Sequence, residues 1–249
     1  MNYVNAVRTM RGLFDSNGGK HVQLWQGECG YASYFHEGSN IMNAWHPGNE
    51  SQHAKWLLRR YFIDLASGMD LTSFFQIADM IERRYITSTG PRVPPLHGLL
   101  HGKTYEPKMA YFTAGYFASI FDEDTETSDI YSSLNFARRI SWHERVSRLD
   151  QLSAVSYGFI RKGYPLYVYY MPEDIQMEYP GMTGVDLVCL KDAPREIENP
   201  VLLDLLNGRV FSITDSPSSA RFNNLPLTDY PLVVTDLEAV KDRMELKTK

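Results

Sequence analysis

Residues His21–Ser33, HVQLWQGECGYAS, decide how the rest of the chain is organised. Val22, Leu24 and Trp25 have the propensity of a short strand, and Gly27 and Gly30 let its end turn sharply around one acidic side chain, Glu28. Upstream, Val4, Val7, Met10, Leu13 and Phe14 recur at three- and four-residue spacings, which predicts an amphipathic helix over 3–14 stopped by Asn17-Gly18-Gly19. Downstream, a loop rich in Gly, Asn and His runs from Tyr31 to Asn49. It leads to a helix over 51–67 with Ala54, Leu57, Leu58, Tyr61, Phe62 and Leu65 on one face and Gly68 at its end. Leu71–Ala78 reads as a second strand ending at Asp79, and a third helix is expected from about Pro107 to Phe121. Helices alternating with strands over residues 1–122 imply parallel strands with helices packed outside them, in an open doubly wound sheet or a (β/α) barrel.

The period changes after the acidic stretch DEDTETSD, Asp122–Asp129, which reads as a solvated connector. Phe159–Pro172 holds two alternating apolar runs around Lys162-Gly163, a hairpin signal. Val185–Leu190, Pro200–Ile213 and Tyr230–Asp236 add short strands separated by Gly, Pro, Asn and Asp clusters. The expected class is therefore α/β plus β: a catalytic-type α/β unit over 1–122, a linker over 123–134, and an antiparallel β-sandwich over 135–249.

At 249 residues and 43% hydrophobic the chain can bury a sizeable core, and sixteen Tyr with four Trp exceed what a core alone requires. A net charge of -5 with dispersed Lys and Arg argues against nucleic acid. Cys29 and Cys189 match neither a metal-binding nor a redox spacing, and no stretch is long and apolar enough to span a bilayer. Residues 1–19 carry Arg8, Arg11 and Asp15 and lack the apolar run of a secretory signal, so compartment stays open.

The chemistry gathers around Glu28. Trp25, Tyr31 and Tyr34 offer flat apolar faces beside a carboxylate, and sugars present C–H faces that pack on aromatic rings while their hydroxyls seek polar groups. Trp25, Tyr31 and Trp45 form a candidate sugar platform, whereas Trp56 and the aromatics of 111–121 sit at helical spacing and suit a core. Gln26, Tyr31 and His46 are the local donors able to hold Glu28 ionised, and Asp79, at the end of the next strand, is placed to bond sugar hydroxyls. A Glu in such a turn also has a purely structural use, accepting from backbone amides, and Asp79 could equally cap a helix. His46, His53, His97 and His101 lack the carboxylate spacing of a metal site, so neither metal nor cofactor is expected. Ser33 lacks a neighbouring base and the elbow motif of a serine hydrolase.

In the order of its parts the chain resembles the C-terminal portion of a clan A glycoside hydrolase, a retaining (β/α)8-barrel enzyme with an appended β-sandwich. LWQGECGYAS resembles the seventh barrel strand, SQHAKWLLRRY the helix after it, LTSFFQIADM the eighth strand and EPKMAYFTAGYFASIF the last helix. VLLDLLNGRVFSI and NLPLTDYPLVV resemble the sandwich. The resemblance implies that Glu28 is the nucleophile, that an oligosaccharide or polysaccharide is the substrate, and that the acid/base, a Glu on the fourth strand, lies upstream of Met1. The chain would then hold about a quarter of a barrel, be inactive alone, and tend to self-associate or pair with the missing half. The alternative is a non-catalytic carbohydrate-binding or assembly module; a second is an α/β enzyme using Asp79 and the histidines with a metal.

Overall fold

The computed structural model describes residues 3–33, 49–80, 85–87, 90–92, 96–136, 154–172, 175, 183–189 and 193–243. They fall into two compact units, Met1–Ala114 and Gly115–Lys249, with the division inside helix α3. The first unit mixes helices with short sheets and the second is antiparallel β-sheet, so the chain is α/β plus β; the described residues form no closed barrel.

In the first unit the order is α1 (Tyr3–Ser16), β1 (Trp25–Cys29), α2 (Glu50–Ser67), β2 (Leu71–Phe74), a small hairpin of β3 (Tyr85–Thr87) and β4 (Gly90–Arg92), then α3 (Met109–Ile120). β1 and β2 pair in parallel across α2, the crossover a parallel pair requires. Helix α2 is bounded by its own sequence. The Asn49 side chain accepts from Gln52 N at 2.8 Å, and Gly68, at φ 85°, closes the last turn onto the carbonyls of Asp64 and Leu65. Its face of Ala54, Leu57, Leu58 and Phe62 is fully buried. Asp64 on the same helix joins three elements: it accepts from Tyr3 Oη at 2.6 Å, from Arg60 Nε at 2.8 Å and from Thr72 Oγ1 at 2.9 Å. Asp70 pins the start of both strands, its carboxylate accepting from Leu24 N at 2.7 Å while its own N–H donates to Leu24 O at 2.9 Å.

β2 ends at Phe74, four residues before the strand expected from sequence. The cause lies in the backbone hydrogen bonds, which from Gln76 onward go to the segment 97–100: Leu99 N donates to Gln76 O, Leu100 N to Ile77 O and Asp79 N to Leu100 O, at 2.9–3.1 Å. That segment approaches so closely that a Cβ on Gly98 would collide with the backbone of Ala78 and Asp79. No described helix is long and apolar enough to cross a membrane.

In the second unit β5 (Thr125–Ser128), β6 (Ser132–Phe136), β7 (Val155–Arg161), β8 (Tyr164–Tyr170), β9 (Thr183–Cys189), β10 (Pro200–Asp204), β11 (Arg209–Ser212), β12 (Arg221–Leu227) and β13 (Leu232–Asp236) make two antiparallel sheets. One has the order β11-β10-β13-β8-β7-β5 and the other β12-β9-β6. Tyr167, Tyr169, Leu202, Leu232 and Val234 of the first meet Val185, Leu187, Phe222, Leu225 and Leu227 of the second in one buried cluster. The β7–β8 hairpin turns at Lys162 (φ 51°) and Gly163 (φ 82°), the pair of positive φ angles that a two-residue turn matched to strand twist demands. Arg161, just before it, is fully buried and donates to the carbonyls of Ile120 (2.8 Å) and Ala239 (3.1 Å) and to the Asp122 carboxylate, whose pKa it lowers by that hydrogen bond.

The stretch expected to be a solvated connector is an edge strand, β5, paired with β7 from Thr125↔Arg161 to Ser128↔Gly158. Its β-branched Thr125 and Thr127 suit a strand, and its acidic residues, which gave it the look of a linker, are what keeps an edge strand from pairing with other chains.

Candidate functional site

Glu28 occupies a bulge at the C-terminal end of β1. Trp25 and Gln26 stand opposite Leu71 and Thr72, but Cys29 stands opposite Phe74, so Gly27 and Glu28 share the space of one partner residue. An extra residue in one strand re-aims the side chains beside it, and Glu28 is exposed. Its carboxylate has no hydrogen bond or ion pair to another described residue; Gln26 Nε2 donates instead to the Glu28 carbonyl at 2.7 Å. The chain beyond the bulge is held firmly. Phe75 N donates to Cys29 O at 2.6 Å, Ser33 N to Leu96 O at 2.8 Å, and a Cβ on Gly30 would strike the Phe75 carbonyl. Glu28 therefore stands on a fixed backbone at the strand end, open to solvent.

Trp25 is 61% exposed, and its indole N–H donates to Gln23 Oε1 at 3.0 Å. Tyr31 is half-buried and stacks on Trp56 at 5.3 Å between ring centroids, so Trp56, assigned to the core on its helical spacing, is the partner of Tyr31. Burial raises the Tyr31 pKa, as it does that of the Cys29 thiol. Trp45 and His46, and with them Tyr34, lie outside the described residues.

Asp79 is 7% exposed and belongs to a closed network. Lys108 Nζ donates to Asp79 Oδ1 at 2.7 Å and to Ser33 Oγ at 2.8 Å; Gly98 N donates to Asp79 Oδ1 at 2.8 Å; and Ser33 Oγ donates to Leu96 O at 3.0 Å. A buried charge has to be paired, and here the partner comes from just ahead of α3. The pair ties residues 33, 79, 96–98 and 108 into one cross-brace beneath the strand ends. Ser33 does have an amine within reach, but Lys108 is engaged with a carboxylate and both side chains are buried, so the arrangement supplies no activated nucleophile.

His53 of α2 is fully buried, with neither ring nitrogen hydrogen-bonded to a described residue, and lies 5.7 Å from the Phe74 ring between centroids. Burial, reinforced by the positive charge of Lys108 and by His97, pushes its pKa down to about 3. It is a neutral imidazole throughout the physiological range. His101 instead pairs with Glu50, Nε2 to Oε1 at 3.1 Å, and the other Glu50 oxygen accepts from Met109 N at 3.1 Å, joining the first turns of α2 and α3. Among the described residues no group of three or more His, Cys, Asp or Glu side chains could hold a metal.

Lys108 was not singled out by sequence reasoning and His53 was weighed only as a metal ligand, and nothing local marks the part either plays: Lys108 follows the helix-opening Pro107 and His53 sits on a helix face. The partners of Lys108 lie 29 and 75 residues away, and the neighbours of His53 lie 21 or more residues away. No protein-family model matches this chain, and no curated protein matches it either.

Proposed function

We propose that this chain is part of a retaining glycoside hydrolase, with β1 and β2 as neighbouring strands of its (β/α) barrel, the two-sheet unit as its appended β-sandwich, and Glu28 as nucleophile. The observation that carries this is a solvent-open carboxylate on a bulge at the C-terminal end of one of two parallel strands joined by a helix. In such barrels the chemistry gathers at that end of the strands. The Glu28 carboxylate attacks the anomeric carbon as the bond to the leaving oxygen breaks, giving a glycosyl ester. A second carboxyl about 5 Å away protonates the leaving oxygen and then draws a proton from the water that cleaves the ester. That second group is assigned to polypeptide outside this chain, which would complete the barrel. The substrate is an oligosaccharide or polysaccharide. Trp25 and Tyr31 would pack on its C–H faces, and the Asp79–Lys108 brace would hold the strand ends in place without touching it.

The test is release of dinitrophenol from 2,4-dinitrophenyl glycosides, whose leaving group needs no acid. The expected result is slow release that stalls near one equivalent, because the ester then lacks a base to hydrolyse it, and that disappears in Glu28→Gln. Release unchanged by Glu28→Gln overturns the assignment.

A further inference from the structure

The second unit contains a cavity of about 440 Å3, within the range of small-molecule sites, where β10, β11 and β13 of the larger sheet overhang the β12 edge of the smaller one. Its floor breaks the alternation that builds the core. Leu202 and Asp204 share a face of β10, and where Leu202 enters the apolar cluster, Asp204 puts a carboxylate that is only 8% exposed. Burial raises its pKa, and Asn207 compensates in part, donating through Nδ2 at 2.7 Å. Tyr230 Oη lies 3.5 Å from the same carboxylate and faces the same space. Phe211 of β11, opposite Leu202, lines the cavity and is 46% exposed as a residue.

The opposite wall is a rigid polar clip. The β12–β9 pairing is interrupted between Phe222 and Leu225, and Asn224 within that interruption takes a φ of 52°. Asp215 holds it there: its two oxygens accept from Asn223 Nδ2 at 3.0 Å and Asn224 Nδ2 at 2.6 Å, and its carbonyl accepts from Asn223 N at 2.8 Å. A left-handed residue costs free energy that the surroundings must offset, and here it sets two side-chain amides on the rim of a cavity.

We propose that this cavity is a binding site for a neutral carbohydrate of one or two sugar rings, stacked on Phe211 and hydrogen-bonded to Tyr230, Asp204 and the Asn223–Asn224 rim. Three features select that class. No Lys or Arg lines the cavity while two carboxylates do; Arg209, opposite Asp204 on β11, offsets part of that carboxylate's charge, and Arg221 is engaged with Asn223 Oδ1 at 3.0 Å, which leaves the lining close to neutral and favours an uncharged ligand over a phosphorylated or carboxylated one. Both Asp215 oxygens are engaged by amides, and no described cluster has a metal-binding set, which removes a divalent cation. A wholly apolar ligand would strip water from Asp204 and the rim amides and return no hydrogen bonds. A sugar meets both halves, with C–H groups for the ring and hydroxyls for the polar wall. The inference does not rest on the role of Glu28, because every group in it lies within the second unit.

The experiment is saturation-transfer NMR and calorimetry on the full chain with cellobiose, xylobiose, mannobiose and lactose as probes. At least one should bind in the millimolar range. Phe211→Ala, at a half-exposed position that leaves the fold intact, should weaken it about tenfold by removing the stacking face. Asp204→Asn, which keeps the side-chain shape, should weaken it several-fold. No binding of any probe, or binding indifferent to both Phe211→Ala and Asp204→Asn, overturns the site. Binding that is lost in Glu28→Gln also overturns it, since the sugar then sits at the strand ends of the first unit.

Discussion

Lowering the pH from 7 to 5 should cost the fold about 2 kcal/mol through one side chain, His53. Its folded-state pKa of about 3 lies far below the roughly 6.5 of an unfolded histidine. Between those values the unfolded chain binds a proton that the native chain refuses, so stability rises with pH. The contribution is complete above about pH 7 and falls by roughly 1.4 kcal/mol for each pH unit below 6.5 until the folded pKa is reached. The origin is structural: the side chain is fully buried, Lys108 and His97 both oppose a positive charge there, and neither ring nitrogen has a hydrogen-bond partner among the described residues. The assay is urea denaturation at pH 7.0 and 5.0, followed by circular dichroism, on the wild type and His53→Phe. Carboxylates titrate in both proteins and cancel in the comparison. The wild type should lose about 2 kcal/mol more than the variant over that interval. Equal losses refute the reasoning, and so does a wild-type His53 resonance that titrates near pH 6 in the folded protein.

Lys108→Met removes the cation paired with the buried Asp79 carboxyl and should cost about 3–5 kcal/mol in denaturant, much of it recovered on adding Asp79→Asn. Gly208→Ala should lower stability by more than about 1 kcal/mol, since the residue has a φ of 62° and a Cβ there would run into the Tyr116 ring. β1 and β2 each have one edge unpaired among the described residues, and Trp25 stands exposed on β1. The isolated chain should therefore self-associate in light scattering, and Trp25→Lys should shift it toward monomer; a wild type that is monomeric at every concentration counts against open barrel edges.

Features governed by neighbours in sequence were legible. Helix α2 announced itself through its apolar face and the Gly68 stop, the β7–β8 hairpin through Lys162-Gly163, and the parallel β1–β2 pair through the helix between two strands. What depended on distant partners was not. β2 looked four residues longer because LTSFFQIA has strand propensity throughout, but its later backbone groups bond to residues 97–100. Asp79 looked like a residue for sugar hydroxyls because nothing local shows that Lys108, 29 residues on, neutralises it. β5 looked like a linker because charge that protects an edge strand resembles charge that solvates a connector. The open position of Glu28 follows from the glycines around it, whereas the Asp204 cavity arises only once two sheets meet unevenly.

The central claim is that the Glu28 carboxylate bonds to an anomeric carbon, and mass spectrometry of the protein after incubation with 2,4-dinitrophenyl 2-deoxy-2-fluoroglycosides tests it directly. Fluorine slows hydrolysis of the ester, so the account predicts one added fluorosugar per chain, mapped to the peptide containing Glu28 and absent from Glu28→Gln. An adduct on any other carboxylate, or none, would contradict it.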